Sequence, residues 1–178
     1  RDKKDIKYTV EYYKDGNKVA EDTQERTVSV QVLEDTAPVN TEEINTTDKY
    51  YGYKLNETVT GEIPTTIANN GVIKVYYIID EDNKKDINYT VEYYKDGTKV
   101  EEDTITRTVS VQVLEDTAPV NTTEINITDK YYGYKLNETA TGEIPTTIVN
   151  DGVIKVYYVI DEDNKKDITY TVEYYKIS

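Results

Sequence analysis

Between Ile6 and Tyr13 apolar and polar positions alternate, with Ile6, Tyr8, Val10 and Tyr12 on one face and Lys7, Thr9, Glu11 and Tyr13 on the other. A period of two predicts a strand with one face buried. Asp15-Gly16 follows, a pair suited to a hairpin turn, and a second strand is expected from Lys18 through Val32. Residues 33–48 break the alternation. Within them Pro38, Asn40 or Thr41 as N-cap, Glu42 and Glu43 in a first turn, and Ile44 predict a short helix. A third strand is expected from Tyr53 to Thr60, then a loop opened by Gly61 and Pro64. The turn Asn69-Asn70-Gly71 feeds a last strand, Val72 to Ile79, dense in Val, Ile and Tyr.

The whole pattern then starts again. Lys3-Lys4-Asp5-Ile6 recurs as Lys84-Lys85-Asp86-Ile87 and as Lys165-Lys166-Asp167-Ile168, a period of 81 residues. Residues 3–83 and 84–164 align without a gap and differ at only 11 of 81 positions. That period is long enough for an independent small domain and too long for a solenoid unit that needs neighbours to bury its face. The expected organisation is therefore a first module over residues 1–83, a second over 84–164, and the first strand of a truncated third over 165–178. Hairpin, short helical crossover and two further strands suggest an α+β, mostly β, β-grasp-like module, with an all-β sandwich as the alternative. The apolar face of the strand at Ile168, Tyr170, Val172 and Tyr174 requires a partner.

Composition narrows the function. Cys, His, Met, Trp and Phe are absent, and 19 tyrosines supply every aromatic ring. No thiolate, no imidazole base and no His/Cys metal site can be built, which removes most catalytic chemistry. No disulfide or zinc can staple the fold, so each module depends on its own core. The net charge of −14 repels nucleic acid and anionic lipid, and no apolar run is long enough to span a membrane.

Three stretches carry a family resemblance. Tyr-Thr-Val-Glu-Tyr-Tyr-Lys-Asp-Gly (from Tyr8 and Tyr89), Ile-Asn-x-Thr-Asp-Lys-Tyr (from Ile44 and Ile125) and Gly-Val-Ile-Lys-Val-Tyr-Tyr (from Gly71 and Gly152) resemble MucBP-like (mucin-binding-protein-type) repeats. Such repeats occur in wall-anchored surface adhesins of Gram-positive bacteria. The resemblance implies a β-grasp fold, an extracellular, cell-wall-anchored parent with its anchor elsewhere, and a role in adhesion or as stalk. The implied partners are neighbouring repeats and, in the alternative reading, host glycan or mucin bound weakly by each copy; the fragment itself is expected to be a monomer.

Candidate sites are few. Outward tyrosines, Tyr13 and Tyr94 above all, could form an aromatic platform for a ligand. The acidic joints offer oxygen ligands for calcium at Asp80, Asp82 and Asp86, and at Asp161, Asp163 and Asp167, although Lys84 and Lys85 interrupt the first and no cofactor is otherwise indicated. Glu42-Glu43 lacks the cleft that glycosidase chemistry needs. Asn45 and Asn56 begin Asn-x-Thr sequons. Lys14 or Lys74 could serve an intramolecular Lys–Asn cross-link. Between copies, Val59 and Ala68 become Ala140 and Val149, a reciprocal exchange expected of neighbours sharing a core; Gln24 and Thr46 become Ile105 and Ile127. Each copy is strongly acidic, net −7 and −8, and the joint lacks Gly, so an extended head-to-tail array is expected.

Overall fold

The computed structural model describes residues 2–177 and divides into two compact units, with the sequence boundary between Lys84 and Lys85. In the first unit, β1 (Lys3–Lys14) turns through Asp15-Gly16 into β2 (Asn17–Lys18). Both turn residues have positive φ, 49° and 81°, the backbone that a two-residue hairpin of this hand requires and that Asp and Gly tolerate best. The expected long second strand is interrupted. A 3₁₀ turn at Ala20–Asp22 inserts extra residues, and pairing with β1 resumes in β3 (Gln24–Gln31), so that Tyr13 faces Lys18 but Val10 faces Gln24.

The expected helix near residue 41 is a single 3₁₀ turn, Thr41–Glu43, whose Asn40 makes no side-chain cap. Before it lies β4 (Thr36–Pro38), which pairs with β6 (Thr66–Ala68), two short strands the alternation did not reveal. The strand expected from Tyr53 to Thr60 stops early, as β5 (Tyr53–Leu55), and gives way to α1 (Glu57–Thr60). Asn56 ends the strand by capping the helix, its side-chain oxygen accepting the Val59 N–H at 3.2 Å. The helix then replaces the strand as partner of β7 (Gly71–Ile79): Asn56 N–H donates to Tyr76 O at 2.7 Å and Tyr76 N–H donates to Thr60 Oγ1 at 2.9 Å.

The main sheet places β1 beside β7, parallel, with β2 and β3 along the other edge of β1 and β5 beyond β7. Ile6, Tyr8, Val10 and Tyr12 of β1 are buried, together with Ile73, Val75 and Tyr77 of β7. Val39 and Ile44 from the crossing loop close over this face. The second unit repeats the plan as β8 (Lys84–Lys95), β9 (Thr98–Lys99), β10 (Ile105–Gln112), β11 (Thr117–Pro119), β12 (Tyr134–Leu136), α2 (Glu138–Thr141), β13 (Thr147–Val149) and β14 (Gly152–Ile160). The molecule is thus mostly β, built on open sheets.

Two sequence expectations need correction. Residues 165–177 carry no secondary structure, and Ile168, Tyr170, Val172 and Tyr174 are exposed, because the strand finds no partner. The reciprocal exchange at positions 59, 68, 140 and 149 is not core compensation: Val59 and Val149 are themselves exposed, so neither fills buried volume. At the other paired change, Gln24 donates to Glu43 O at 3.3 Å and leaves its side-chain oxygen buried without a partner, whereas Ile105 packs on the core and Ile127 stays exposed.

Candidate functional site

Tyrosine in place of phenylalanine has a structural use. The three core tyrosines on β1 and β7 point their hydroxyls at the loop that crosses the sheet. Tyr8 Oη accepts the Asn40 N–H at 3.3 Å, Tyr12 Oη accepts the Asn45 N–H at 3.0 Å, and Tyr77 donates to Asn45 O at 2.8 Å. The second unit repeats all three with Tyr89, Tyr93 and Tyr158 on Asn121 and Asn126. An irregular loop packed on a core would bury unpaired backbone groups, and these hydroxyls satisfy them. Burial, more than any other influence, pushes the Tyr12 and Tyr77 phenols above their ordinary pKa.

The same loop explains the fate of the Asn45 sequon. Asn45 Oδ1 accepts from the N–H groups of Thr47 and Asp48 at 2.9 and 3.2 Å, and its amide reaches Asp48, so the side chain is committed to the turn. Asn56 is likewise committed as a helix cap. Tyr50, one of the paired tyrosines, turns inward and donates to Asp22 at 2.6 Å, with Lys14 and Lys49 lying over its ring at 4.9 and 5.7 Å. Burial first, then the Asp22 carboxylate, raises its phenol pKa strongly. Tyr51 is exposed.

On the opposite face of the sheet, Tyr13 stands where alternation placed it. The parallel register sets it opposite Tyr76, and the two rings stack with centroids 4.7 Å apart and planes at 22°. Tyr94 and Tyr157 repeat this at 4.8 Å and 23°. Tyr13 donates to Glu11 Oε1 at 2.8 Å, while Lys18 Nζ lies 2.8 Å from Glu11 Oε2. The Lys18 ammonium, aided by the Tyr13 hydroxyl, lowers the Glu11 pKa, and Glu11 raises that of Tyr13. Lys74 Nζ lies 5.9 Å from the Tyr13 centroid. Stacking uses one face of each ring, so a ligand would meet ring edges and cations more than a broad open plane. Tyr76 and Tyr157 were missed as members of this site because their register with β1 and β8 is set across 63 residues of sequence.

The acidic candidates serve local turns. Asp80 Oδ1 accepts the Asp82 N–H at 3.1 Å and Asp161 Oδ1 accepts the Asp163 N–H at 3.0 Å, while Asp86 and Asp167 are exposed. Among the described residues no three acidic side chains converge as a metal site would need. Glu42 is exposed, and Glu43 is spent on Arg26, whose Nε lies 2.6 Å from its carboxylate. Lys14 and Lys74, considered for a cross-link, rest against tyrosine rings. Among the described residues no helix is long and apolar enough to cross a membrane.

Fold and site together define a β-rich tandem repeat module whose polar chemistry is largely turned on itself. The chain is similar to the crystal structure of Mub-RV, with 19% identity over 88% of this chain and 99% of that one and a TM-score of 0.28. It is also similar to a type 2 repeat of the mucus binding protein MUB from Lactobacillus reuteri, with 15% identity over 88% of this chain and 100% of that one and a TM-score of 0.28. No protein-family model matches the chain, and no curated protein matches it.

Proposed function

We propose that each unit is a β-grasp module acting as a non-catalytic spacer in an extracellular surface protein, projecting an adhesive domain away from the cell wall. The β-grasp reading is supported by the parallel central pair β1–β7, flanked by β3 and β5 and crossed by the 33–52 loop. The spacer reading rests on one observation above the rest: the groups that could face a ligand are engaged inside the module. Tyr8, Tyr12 and Tyr77 hold the loop, Tyr50 holds Asp22, and Tyr13 is locked between Tyr76 and Glu11. The close identity of the two copies, outer faces included, fits a part selected for repetition. Strong negative charge on each copy disfavours side-by-side collapse, which supports an extended head-to-tail array.

A second reading, weak multivalent binding of host glycan or mucin, is favoured by the recurrence of the stacked pair beside Lys18 and Lys74 in one unit and beside Lys99 and Lys155 in the other. Titrating isotope-labelled protein with mucin O-glycans separates the two. The spacer account expects no saturable shifts; saturable shifts clustered on Tyr13, Tyr76, Tyr94 and Tyr157 would replace it with the binding account.

A further inference from the structure

The β3 strand has one partner. It pairs with β1 in antiparallel register, Lys3 opposite Gln31 through Val10 opposite Gln24, and no other strand joins it among the described residues. Val32 N–H donates to Asp2 O at 3.2 Å, which fixes the phase of the ladder. Antiparallel ladders alternate, so the N–H groups of Gln24, Arg26, Val28 and Val30 face β1 and those of Glu25, Thr27, Ser29 and Gln31 face away. That leaves an eight-residue edge without proline or lysine, the devices that usually blunt edges. Beside it runs an open groove lined by Tyr8, Arg26, Val28, Pro38, Val39 and Glu43, and the same groove recurs in the second unit.

The chain also carries a strand without a sheet. Residues 165–176 match Lys3–Lys14 at every position but one, and in this protein that sequence already pairs with β3 from the other side. Here its inward-type side chains are in water: Ile168, Tyr170, Val172 and Tyr174 are 79, 85, 60 and 92% exposed. The segment is net +1, whereas the 81 residues of the first copy are net −7.

We propose that the outer edge of β3 is a docking site for residues 165–176 of a second copy of this chain, which adds to the sheet as an antiparallel strand. The outward N–H and C=O groups of β3 supply the ladder, and alternate side chains supply specificity. In the register that β1 uses, Ile168 lies beside Val28 and Tyr170 beside Arg26. The phenol then enters the groove, with its ring against a guanidinium already oriented by Glu43.

Sedimentation velocity over a concentration series tests this. The full chain is expected to sediment faster as concentration rises. The double variant Tyr170→Asp, Val172→Asp, altered only in the unstructured segment, is expected to remain monomeric. Ser29→Pro, which removes one outward donor and no β1–β3 bond, is expected to abolish association with the thermal melt unchanged. A full chain that stays monomeric throughout, or a double variant that associates as its parent does, overturns the proposal. So does undiminished association of a Ser29→Pro protein that folds.

Discussion

Lys3–Lys14 and residues 165–176 differ only at Lys7 against Thr169, yet one is the central strand of a sheet and the other carries no secondary structure. Local interactions survive the change of context. Tyr13 donates to Glu11 in the strand, and Tyr175 donates to Glu173 in the free segment, two residues apart in both. What the free segment lacks is everything distant: β3 on one side, β7 on the other, and the loop that Tyr12 holds across 33 residues. Alternation of β-branched and aromatic residues therefore describes a surface suited to a sheet, and burial against partners makes the strand.

The strongest way to break this comparison is to make the same substitution in both places. Tyr12 is fully buried and Tyr174 is 92% exposed. Tyr12→Ala should cost roughly 3–5 kcal/mol and split the first unit's urea transition from the second's. Tyr174→Ala should leave the melt of dilute protein unchanged. Equal effects would contradict the account.

A finer cut removes only the hydroxyl. In Tyr12→Phe the ring still fills the core, but the Asn45 N–H loses its acceptor, at a cost of about 1–3 kcal/mol. Amide exchange should show opening of the 39–50 loop before that of β1. The matching Tyr174→Phe should change nothing.

How much of this was legible in advance depended on distance along the chain. The alternation from Ile6 to Tyr13 marked β1 and set Tyr13 outward, and Asp15-Gly16 marked the hairpin. The helix α1 had a signal that was outweighed: Asn56 followed by Glu57, with Gly61 beyond, is a cap, a charged first turn and a stop, but the apolar rhythm from Tyr53 read as a longer strand. The short pair β4–β6 has too few residues for a periodic signal. The Tyr13–Tyr76 stack and the hydroxyl clamps were hidden because they follow from the parallel register of β1 and β7, which local patterning does not encode. The abundance of tyrosine with no phenylalanine was the visible trace of those clamps.

The smallest expected effect concerns pH. Lys18 and Tyr13 hold the Glu11 pKa below its ordinary 4.5, so its contribution is complete above that value and is lost as pH falls through the lower folded pKa. The Lys18 ammonium is 44% exposed, and the pair should contribute no more than about 1 kcal/mol. Glu11→Gln should lower stability slightly at neutral pH and flatten its decline in acid. An acid profile identical to the parent's would show that the pair contributes nothing.

A strand that forms only inside a complete copy makes each copy a self-contained unit, and a stalk needs such units to add length as they are added. Small-angle scattering on dilute chains with one, two and three complete copies tests this most directly. The account predicts a maximum dimension that grows by a constant increment per copy; a two-copy chain scarcely longer than a single copy, at low and high salt alike, would contradict it.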